Sequence, residues 1–258
     1  MTPQNLLTTM REKNPLVQCI TNYVAMNVAA NVVLAAGASP AMVHAPEEVA
    51  DFTPVCSALT VNIGTLSEPW AKAMMASARV ARANNVPWVL DPVAHFISRY
   101  RKGVAQELMA LRPTILRGNA SEIIAMTGQI GAGKGADSGD TVSAAENAAC
   151  TLARQYETVV AVTGPVDFVT DGVQSAKVTG GSDLMPKVTA LGCAQTALMG
   201  AYVSIGPAFE AALATLAHFK AAGTKAAGRA NGPGTFQMHF LDALATTQPD
   251  ELSSVVTS

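Results

Sequence analysis

Short apolar runs alternate with longer helical segments along this chain. The apolar runs predict strands at residues 16–20, 40–43, 58–63, 88–90, 114–116, 158–162 and 166–170. The longer segments predict helices at residues 24–36, 68–84, 121–126, 142–156, 194–203, 208–222 and 236–245. Strands that alternate with helices of about ten residues or more are typical of a mostly parallel sheet with helices on both faces. The predicted fold class is therefore α/β.

Polar residues directly follow several of the predicted strands. In sheets of this class, ligands bind beyond the carboxyl ends of the strands. We therefore expect these residues to share one rim of the sheet and to form the ligand site, although their strands lie far apart in sequence. They are Thr21-Asn22, Gly64-Thr65, Asp91-Pro92, Arg117-Gly118-Asn119 and Thr163-Gly164.

The composition excludes a disordered chain and argues against a nucleic-acid partner. The length of 258 residues suits one large domain or two small ones. Apolar residues make up 49% of the chain and charged residues 14%, against about 25% charged in an average soluble protein. The net charge is -2 and there is no basic tract, so we expect no nucleic-acid binding. The low charge also predicts that a partner subunit covers part of the surface.

The segment from Thr189 to Phe209 contains no charged residue and is long enough to span a bilayer. Because Gly192, Gln195 and Pro207 interrupt it, we predict a buried core helix and no membrane association. The N-terminus lacks the basic start and the long apolar stretch of a signal peptide. The four cysteines fit no zinc-binding spacing, so we predict reduced thiols in a cytoplasmic protein.

A glycine-rich segment at residues 128–135 nearly matches a phosphate-binding loop of the Walker A type. However, Gly135 stands where Ser or Thr should ligate magnesium, and the segment follows a predicted helix instead of a strand. We therefore favour a surface loop around Lys134.

Two carboxylates and one arginine on the predicted rim are candidates for a metal and phosphate site. Asp91 ends a buried strand, and Arg117 and Glu122 flank the next strand end. Magnesium typically binds one or two carboxylates and completes its shell with water and phosphate oxygens, and an arginine beside it suits phosphate. Asn119 and Glu122 also have the spacing of a helix capping box, which would explain Glu122 without a metal.

Cys193 directly precedes the predicted helix at residues 194–203. Backbone N–H groups at a helix N-terminus form an anion site. A thiol there is expected to have a lowered pKa and to act as a base. The alternative interpretation is a small buried side chain, as most free cysteines are.

Several short motifs, taken in order, resemble the hydroxyethylthiazole kinase family. The resemblance runs from about residue 14 to 245, and motifs in the same order are more specific than any one of them alone. The motifs are Asn14–Val24, Gly37–Met42, Asn62–Leu66, Asp91–Val93, Arg117–Glu122, Val162–Gly164, Val169–Gly172, Gly232–Gly234 and Phe240–Leu244.

The resemblance implies a three-layer, ribokinase-like α/β fold in a single domain over residues 1–258. It implies transfer of the ATP γ-phosphate, with Mg²⁺, to the hydroxyl of 4-methyl-5-(2-hydroxyethyl)thiazole, a step of thiamine salvage. It also implies a homotrimer with active sites between subunits. The residue roles that the resemblance implies are Cys193 as the catalytic base, Met42, Asn22 and Ala190 toward the thiazole, Arg117, Thr163 and Gly192 toward ATP, and Asp91 and Glu122 toward Mg²⁺.

The loop before the cysteine departs from the family pattern. It usually reads Gly-Thr-Gly-Cys and here reads Ala190-Leu191-Gly192-Cys193. The backbone amides survive this change, but the threonine hydroxyl and any charge-assisted hydrogen bond it gave to phosphate, worth about 1.5–3 kcal/mol, do not. Two alternatives therefore stay open. One is a kinase for another small alcohol of the pyrimidine or pyridoxal type, and the other is a nucleotide-binding module without catalysis.

Overall fold

The computed structural model describes residues 1–129 and 139–257, and within these ranges nine strands form one mixed sheet. In chain order the strands are β1 (Leu16–Ile20), β2 (Ser39–Ala41), β3 (Ala58–Asn62), β4 (Trp88–Asp91), β5 (Ile115–Asn119), β6 (Val159–Thr163), β7 (Asp167–Thr170), β8 (Ser175–Val178) and β9 (Val256–Thr257). Their order in the sheet is β2-β1-β3-β4-β5-β6-β7-β8-β9. The first six strands in this order, β2, β1, β3, β4, β5 and β6, are parallel to one another. Strands β7, β8 and β9 follow, and each is antiparallel to the strand before it.

Helices cover both faces of the sheet. They are α1 (Pro3–Lys13), α2 (Met26–Ala36), α3 (Val49–Phe52), α4 (Glu68–Ala83), α5 (Arg99–Ala110), α6 (Ala120–Met126), α7 (Val142–Tyr156), α8 (Leu191–Val203), α9 (Ala208–Ala227) and α10 (Pro233–Thr246). Apolar side chains of α1, α2, α8, α9 and α10 form the core on one face, and those of α4, α5, α6 and α7 form the core on the other. The predicted three-layer α/β architecture is therefore confirmed.

The predicted strands and helices are all present, with ends that shift by a few residues. The structure adds helices and strands that the apolar pattern did not reveal, namely α1, α3, α5, β8 and β9. Helix α5 buries only a narrow face formed by Val104, Ala105, Leu108 and Met109, and its first turn is polar. Strand β8 lies toward the sheet edge and is largely exposed. Elements with so little buried surface leave a weak apolar signal.

Helix α8 is the buried core helix predicted for the uncharged segment, and nearly all of its residues are buried. It lies close against β1 and β3, because a Cβ at Gly200 would come within 2.5 Å of Thr60 Cγ2 and 2.7 Å of Val17 Cγ1. Among the described helices, none has both the length and the apolar character needed to cross a membrane. The close approach of α8 to the sheet brings its N-terminus to the site described next.

Candidate active site

A cleft of two adjoining cavities lies at the carboxyl ends of the parallel strands. The larger cavity has a volume of about 430 Å³ and the smaller one about 320 Å³. Arg117, Asn119, Leu191 and Gly192 line both cavities. The cleft thus joins the end of β5 to the N-terminus of α8, where the polar rim was predicted.

Asp91, the last residue of β4, is fully buried and lines the smaller cavity. Its Oδ2 accepts hydrogen bonds of 2.7 Å from both Asn62 Nδ2 and Thr196 Oγ1, and it lies 3.4 Å from Arg117 Nη1. Within the described residues, its Oδ1 has no hydrogen-bond partner. Burial raises the pKa of this carboxyl above its ordinary value, and the charge of Arg117 opposes that rise. Among the residues that the structure describes, donors therefore hold Oδ2 of Asp91 and leave Oδ1 available.

Arg117, in β5, connects the two cavities through its guanidinium group. Its Nη2 donates to Thr163 Oγ1 over 2.7 Å, while Nη1 lies 3.4 Å from Asp91 Oδ2. A Cβ at Gly192 would lie 2.9 Å from Nη2. Glycine at this position therefore allows the first turn of α8 to approach the guanidinium closely. The planar fork of donors at this place suits phosphate oxygens.

Glu122 caps helix α6 and lines the smaller cavity. Its Oε2 accepts from the backbone N–H of Asn119 over 2.8 Å, and Asn119 Oδ1 accepts from the N–H of Glu122 over 2.9 Å, which confirms the predicted capping box. Its Oε1 accepts from the N–H of Ala94 over 3.0 Å. Burial, followed by the charge of Asp91, raises the pKa of Glu122 to about 7.

The donor set of the smaller cavity fits a magnesium ion bound together with phosphate. Asp91 and Glu122 line this cavity, and Asp91 Oδ1 is unpartnered among the described residues. Across residues 1–129 and 139–257, no cluster of three or more His, Cys, Asp or Glu side chains is arranged for a metal. Magnesium needs only one or two carboxylates where water and phosphate oxygens complete its shell. A cation here would also relieve the repulsion that raises the pKa of Glu122.

Cys193 lies in the first turn of α8, which begins at Leu191 and thus earlier than predicted. Its Sγ accepts a hydrogen bond of 3.3 Å from Asn22 Nδ2. Burial, followed by the charge of Asp91, raises the pKa of the thiol to about 11. The expectation of a lowered pKa is therefore wrong, because desolvation of the thiolate outweighs the effect of the helix N-terminus.

Asn62 connects the Cys193 side of the site to the Asp91 side, and sequence reasoning missed it. Its Oδ1 accepts from Asn22 Nδ2 over 2.8 Å and from the N–H of Gly64 over 3.0 Å, so its Nδ2 points to Asp91. Asn62 and Asp91 are register partners at the ends of β3 and β4. The sequence signal that could have identified Asn62 was a polar residue at the end of a predicted strand.

Lys220 and Asp167 are buried charged residues that line the larger cavity, and sequence reasoning missed both. Lys220 lies in α9 and Asp167 begins β7. Burial raises the pKa of Asp167 to about 6, and the charge of Lys220 opposes that rise. The available sequence signal for Lys220 was a single lysine in the segment 211–223, which contains no other Lys, Arg, Asp or Glu.

Most of the predicted site residues come together in or beside the cleft. Asn22 is hydrogen-bonded to Cys193, Thr163 is hydrogen-bonded to Arg117, and Ala190 lines the smaller cavity. Met42 is the exception, because it follows β2 at the sheet edge, is partly buried and lines neither of the two cavities. Most of the glycine-rich loop, including Lys134, lies outside the described residues.

Replacing Ala190 with glycine should stabilise the protein by about 1 kcal/mol. Ala190 precedes α8 with φ 63° and ψ 6°, in the left-handed region that is costly for a residue with a Cβ. The greater freedom of glycine in the unfolded chain offsets part of the gain. Equilibrium urea unfolding measures the change. The matched control is Ala194→Gly within α8, which should lose stability. An Ala190→Gly midpoint at or below that of the wild type would contradict the predicted strain.

The fold has structural relatives among small-molecule kinases. A pyridoxal kinase from Bacillus subtilis matches with a TM-score of 0.62 and 15% identity, covering 81% of this chain and 91% of that one. A ribokinase-like superfamily protein from Enterococcus faecalis matches with a TM-score of 0.66 and 8% identity, covering 93% of each chain. Such identities show the fold, which is ribokinase-like. The polar cleft lies at the strand ends, where α/β folds of this class bind their ligands.

Comparisons at higher identity resolve the class further. The sequence matches the hydroxyethylthiazole kinase family over residues 7–250. A hydroxyethylthiazole kinase from Roseobacter denitrificans is 72% identical over 256 residues, which cover 99% of this chain and 100% of that protein. The solved structure of a hydroxyethylthiazole kinase protein from Pyrococcus horikoshii superposes with a TM-score of 0.90 at 34% identity, covering 99% of this chain and 97% of that one. The chain belongs to the hydroxyethylthiazole kinase family.

Proposed function

We propose that this kinase transfers the γ-phosphate of ATP to the hydroxyl of 4-methyl-5-(2-hydroxyethyl)thiazole, with Mg²⁺, in thiamine salvage. Family membership supports the acceptor and the pathway. One observation carries the chemistry: Arg117, the first turn of α8 and the Asp91–Glu122 carboxylates line one cavity. Phosphoryl transfer depends mainly on positioning and on charge neutralisation, which this grouping supplies.

The larger cavity is the proposed nucleotide side of the site. Arg117 and Thr163 line it and are hydrogen-bonded to one another, so together they would orient the phosphates of ATP. The first N–H groups of α8, at Leu191, Gly192 and Cys193, have no acceptor within the helix and would hold the transferring phosphoryl group. Donors fixed before the reaction stabilise the developing charge without reorganisation.

Asp91 and Glu122 are the proposed holders of Mg²⁺, with Asp91 Oδ1 as the available oxygen. When bound, the ion would neutralise charge on the phosphate oxygens. The role of the protein would be to hold the two carboxylates in a fixed position. Asn62 and Thr196 hold Oδ2 of Asp91, and two backbone N–H groups hold Glu122.

The alcohol side is proposed to lie around Asn22, Met42 and Ala190, next to the Cys193 thiol. Asn22 is buried and donates to Cys193 Sγ, so the hydroxyl of the acceptor would meet the thiol there. Met42 lies outside both cavities of the single chain. Tyr23 and Val24, which follow Asn22 in the sequence, are 62% and 55% exposed. A second subunit packed on this face would complete the pocket, in line with the proposed homotrimer. Light scattering on the purified protein tests that state.

The decisive experiment mixes purified protein with ATP, MgCl₂ and the thiazole alcohol and follows the phosphate ester by mass spectrometry. We expect ester to form and to disappear when EDTA removes the magnesium. Pyridoxal and a hydroxymethylpyrimidine serve as alternative acceptors. A phosphate ester of one of these acceptors alone would contradict the proposed acceptor, and ATP binding without any phosphate ester would contradict kinase activity.

The four cysteines are unpaired thiols in the structure, which supports the proposed cytoplasmic location.

A further inference from the structure

Lys220 is a buried lysine that the mechanism proposed above does not use. It is 5% exposed and lies in α9 with its ammonium at the wall of the larger cavity. Its Nζ donates to the carbonyl oxygens of Gly164 over 2.6 Å and Pro165 over 2.9 Å, and it lies 3.5 Å from Asp167 Oδ1. The two hydrogen bonds and the ion pair with Asp167 all direct the ammonium to groups of the protein. Lys220 is therefore oriented toward the protein and not toward a ligand phosphate.

Two of these groups, the carbonyls of Gly164 and Pro165, lie in the turn between β6 and β7, and Asp167 is the first residue of β7 directly after it. Asp167 Oδ1 also accepts from the N–H of Gly164 over 2.8 Å, so the turn is closed on itself as well as held by Lys220. On its other side the turn packs against α7, because a Cβ at Gly164 would lie 2.6 Å from Val142 Cγ2. The turn is thus fixed between two helices. A buried ammonium and a buried carboxylate are costly to desolvate and persist only where they are paired and hydrogen-bonded.

This turn directly follows Thr163, the residue that holds Arg117. Thr163 ends β6, and its Oγ1 accepts from Arg117 Nη2 over 2.7 Å. Thr163, Gly164, Pro165 and Arg117 all line the larger cavity. A shift of the turn would therefore move the wall of the cavity and the hydroxyl that orients the guanidinium.

We propose that Lys220 is a positioning residue for the nucleotide, which acts by fixing the β6–β7 turn so that Thr163 and Arg117 meet the phosphates in the correct geometry. The proposal rests on the proposed function in that it takes ATP as the phosphate donor. It predicts a defect confined to the nucleotide side. The thiazole alcohol is placed at Asn22 and Cys193, which Lys220 does not contact.

The test is the Lys220→Met variant, which keeps the length of the side chain and removes the ammonium. We expect ADP to bind about tenfold or more weakly by calorimetry, since small misplacements of binding groups have large effects. The KM for ATP should rise by a similar factor, while the KM for the thiazole alcohol stays within twofold. The matched control is Lys225→Met on the same helix. Lys225 pairs with Glu251 and Thr246 outside both cavities, so both KM values should stay unchanged.

A second variant covers the case in which Lys220→Met leaves Asp167 buried and unpaired and the protein fails to fold. The double variant Lys220→Met/Asp167→Asn removes both charges and should fold, again with weak ADP binding. ADP affinity within twofold of the wild type in either folded variant would overturn the proposal and leave the proposed function intact. A wild-type protein that does not bind ADP would overturn both.

Discussion

Replacing Arg117 with methionine should lower kcat/KM by about 10³-fold, the lower end of the range for an arginine that neutralises phosphoryl-transfer charge. Arg117 lines both cavities, holds Thr163 and lies 3.4 Å from Asp91. Methionine fills a similar space without donors or charge. Asp91 would keep Asn62 and Thr196 as donors, so we expect the variant to fold with a lower Tm. Steady-state kinetics with ATP and the thiazole alcohol measure the loss.

The matched control for this experiment is Arg112→Met. Arg112 precedes the same strand and pairs with Glu157 at an exposed position away from the cleft. An exposed pair of this kind contributes about 0–1 kcal/mol, so kcat/KM should remain at the wild-type value. Arg117→Lys should show a smaller loss than Arg117→Met, because lysine restores the charge but not the fork of donors. Near wild-type kcat/KM in Arg117→Met would remove Arg117 from the phosphate site.

Replacing Cys193 with alanine should lower kcat by about 10²-fold, the lower end of what a general base contributes, and leave ADP binding unchanged. A thiol with a pKa of about 11 is ionised in only about one molecule in 10⁴ at pH 7, so the wild-type enzyme would work with a small active fraction. Cys193→Asp supplies a group with a much lower intrinsic pKa, and we expect it to retain or exceed the wild-type rate at neutral pH.

The pH profile separates a base from a packing residue. Below the thiol pKa the thiolate fraction increases about tenfold per pH unit, so the wild-type kcat should rise between pH 7 and 9. The profile of Cys193→Asp should be flat over that interval. Cys150→Ala is the matched control, since Cys150 is half-buried near Thr170 and lines neither cavity. Wild-type turnover in Cys193→Ala would exclude the thiol from the mechanism.

Asp91, Arg117 and Thr163 were predictable as neighbours from the sequence because each lies at the end of an apolar run. In a parallel sheet these ends meet at one rim, so topology converts a one-dimensional pattern into a shared site. The capping box of Asn119 and Glu122 was equally predictable, since its hydrogen bonds close within four residues. In each case the controlling interaction is local or repeats with the period of a strand.

Other features depended on contacts between distant segments. Lys220 donates to Gly164, which lies 56 residues away, and Asn22 donates to Cys193 across 171 residues. No local sequence pattern predicts such pairs. The same holds for the pKa of Cys193, which a helix N-terminus alone would lower and which burial raises instead.

The α/β class, the rim on which the site lies and, through the motifs, the family all follow from the amino-acid sequence alone. Strand and helix periodicity and the direction of parallel strands suffice for the first two. Which polar groups are desolvated, and which groups pair with them, depends on the folded structure. Examples are the protonated thiol of Cys193, the hydrogen-bonded Oδ2 of Asp91 and the buried ammonium of Lys220. Desolvation depends on how closely remote elements pack, and that packing exists only in the folded chain.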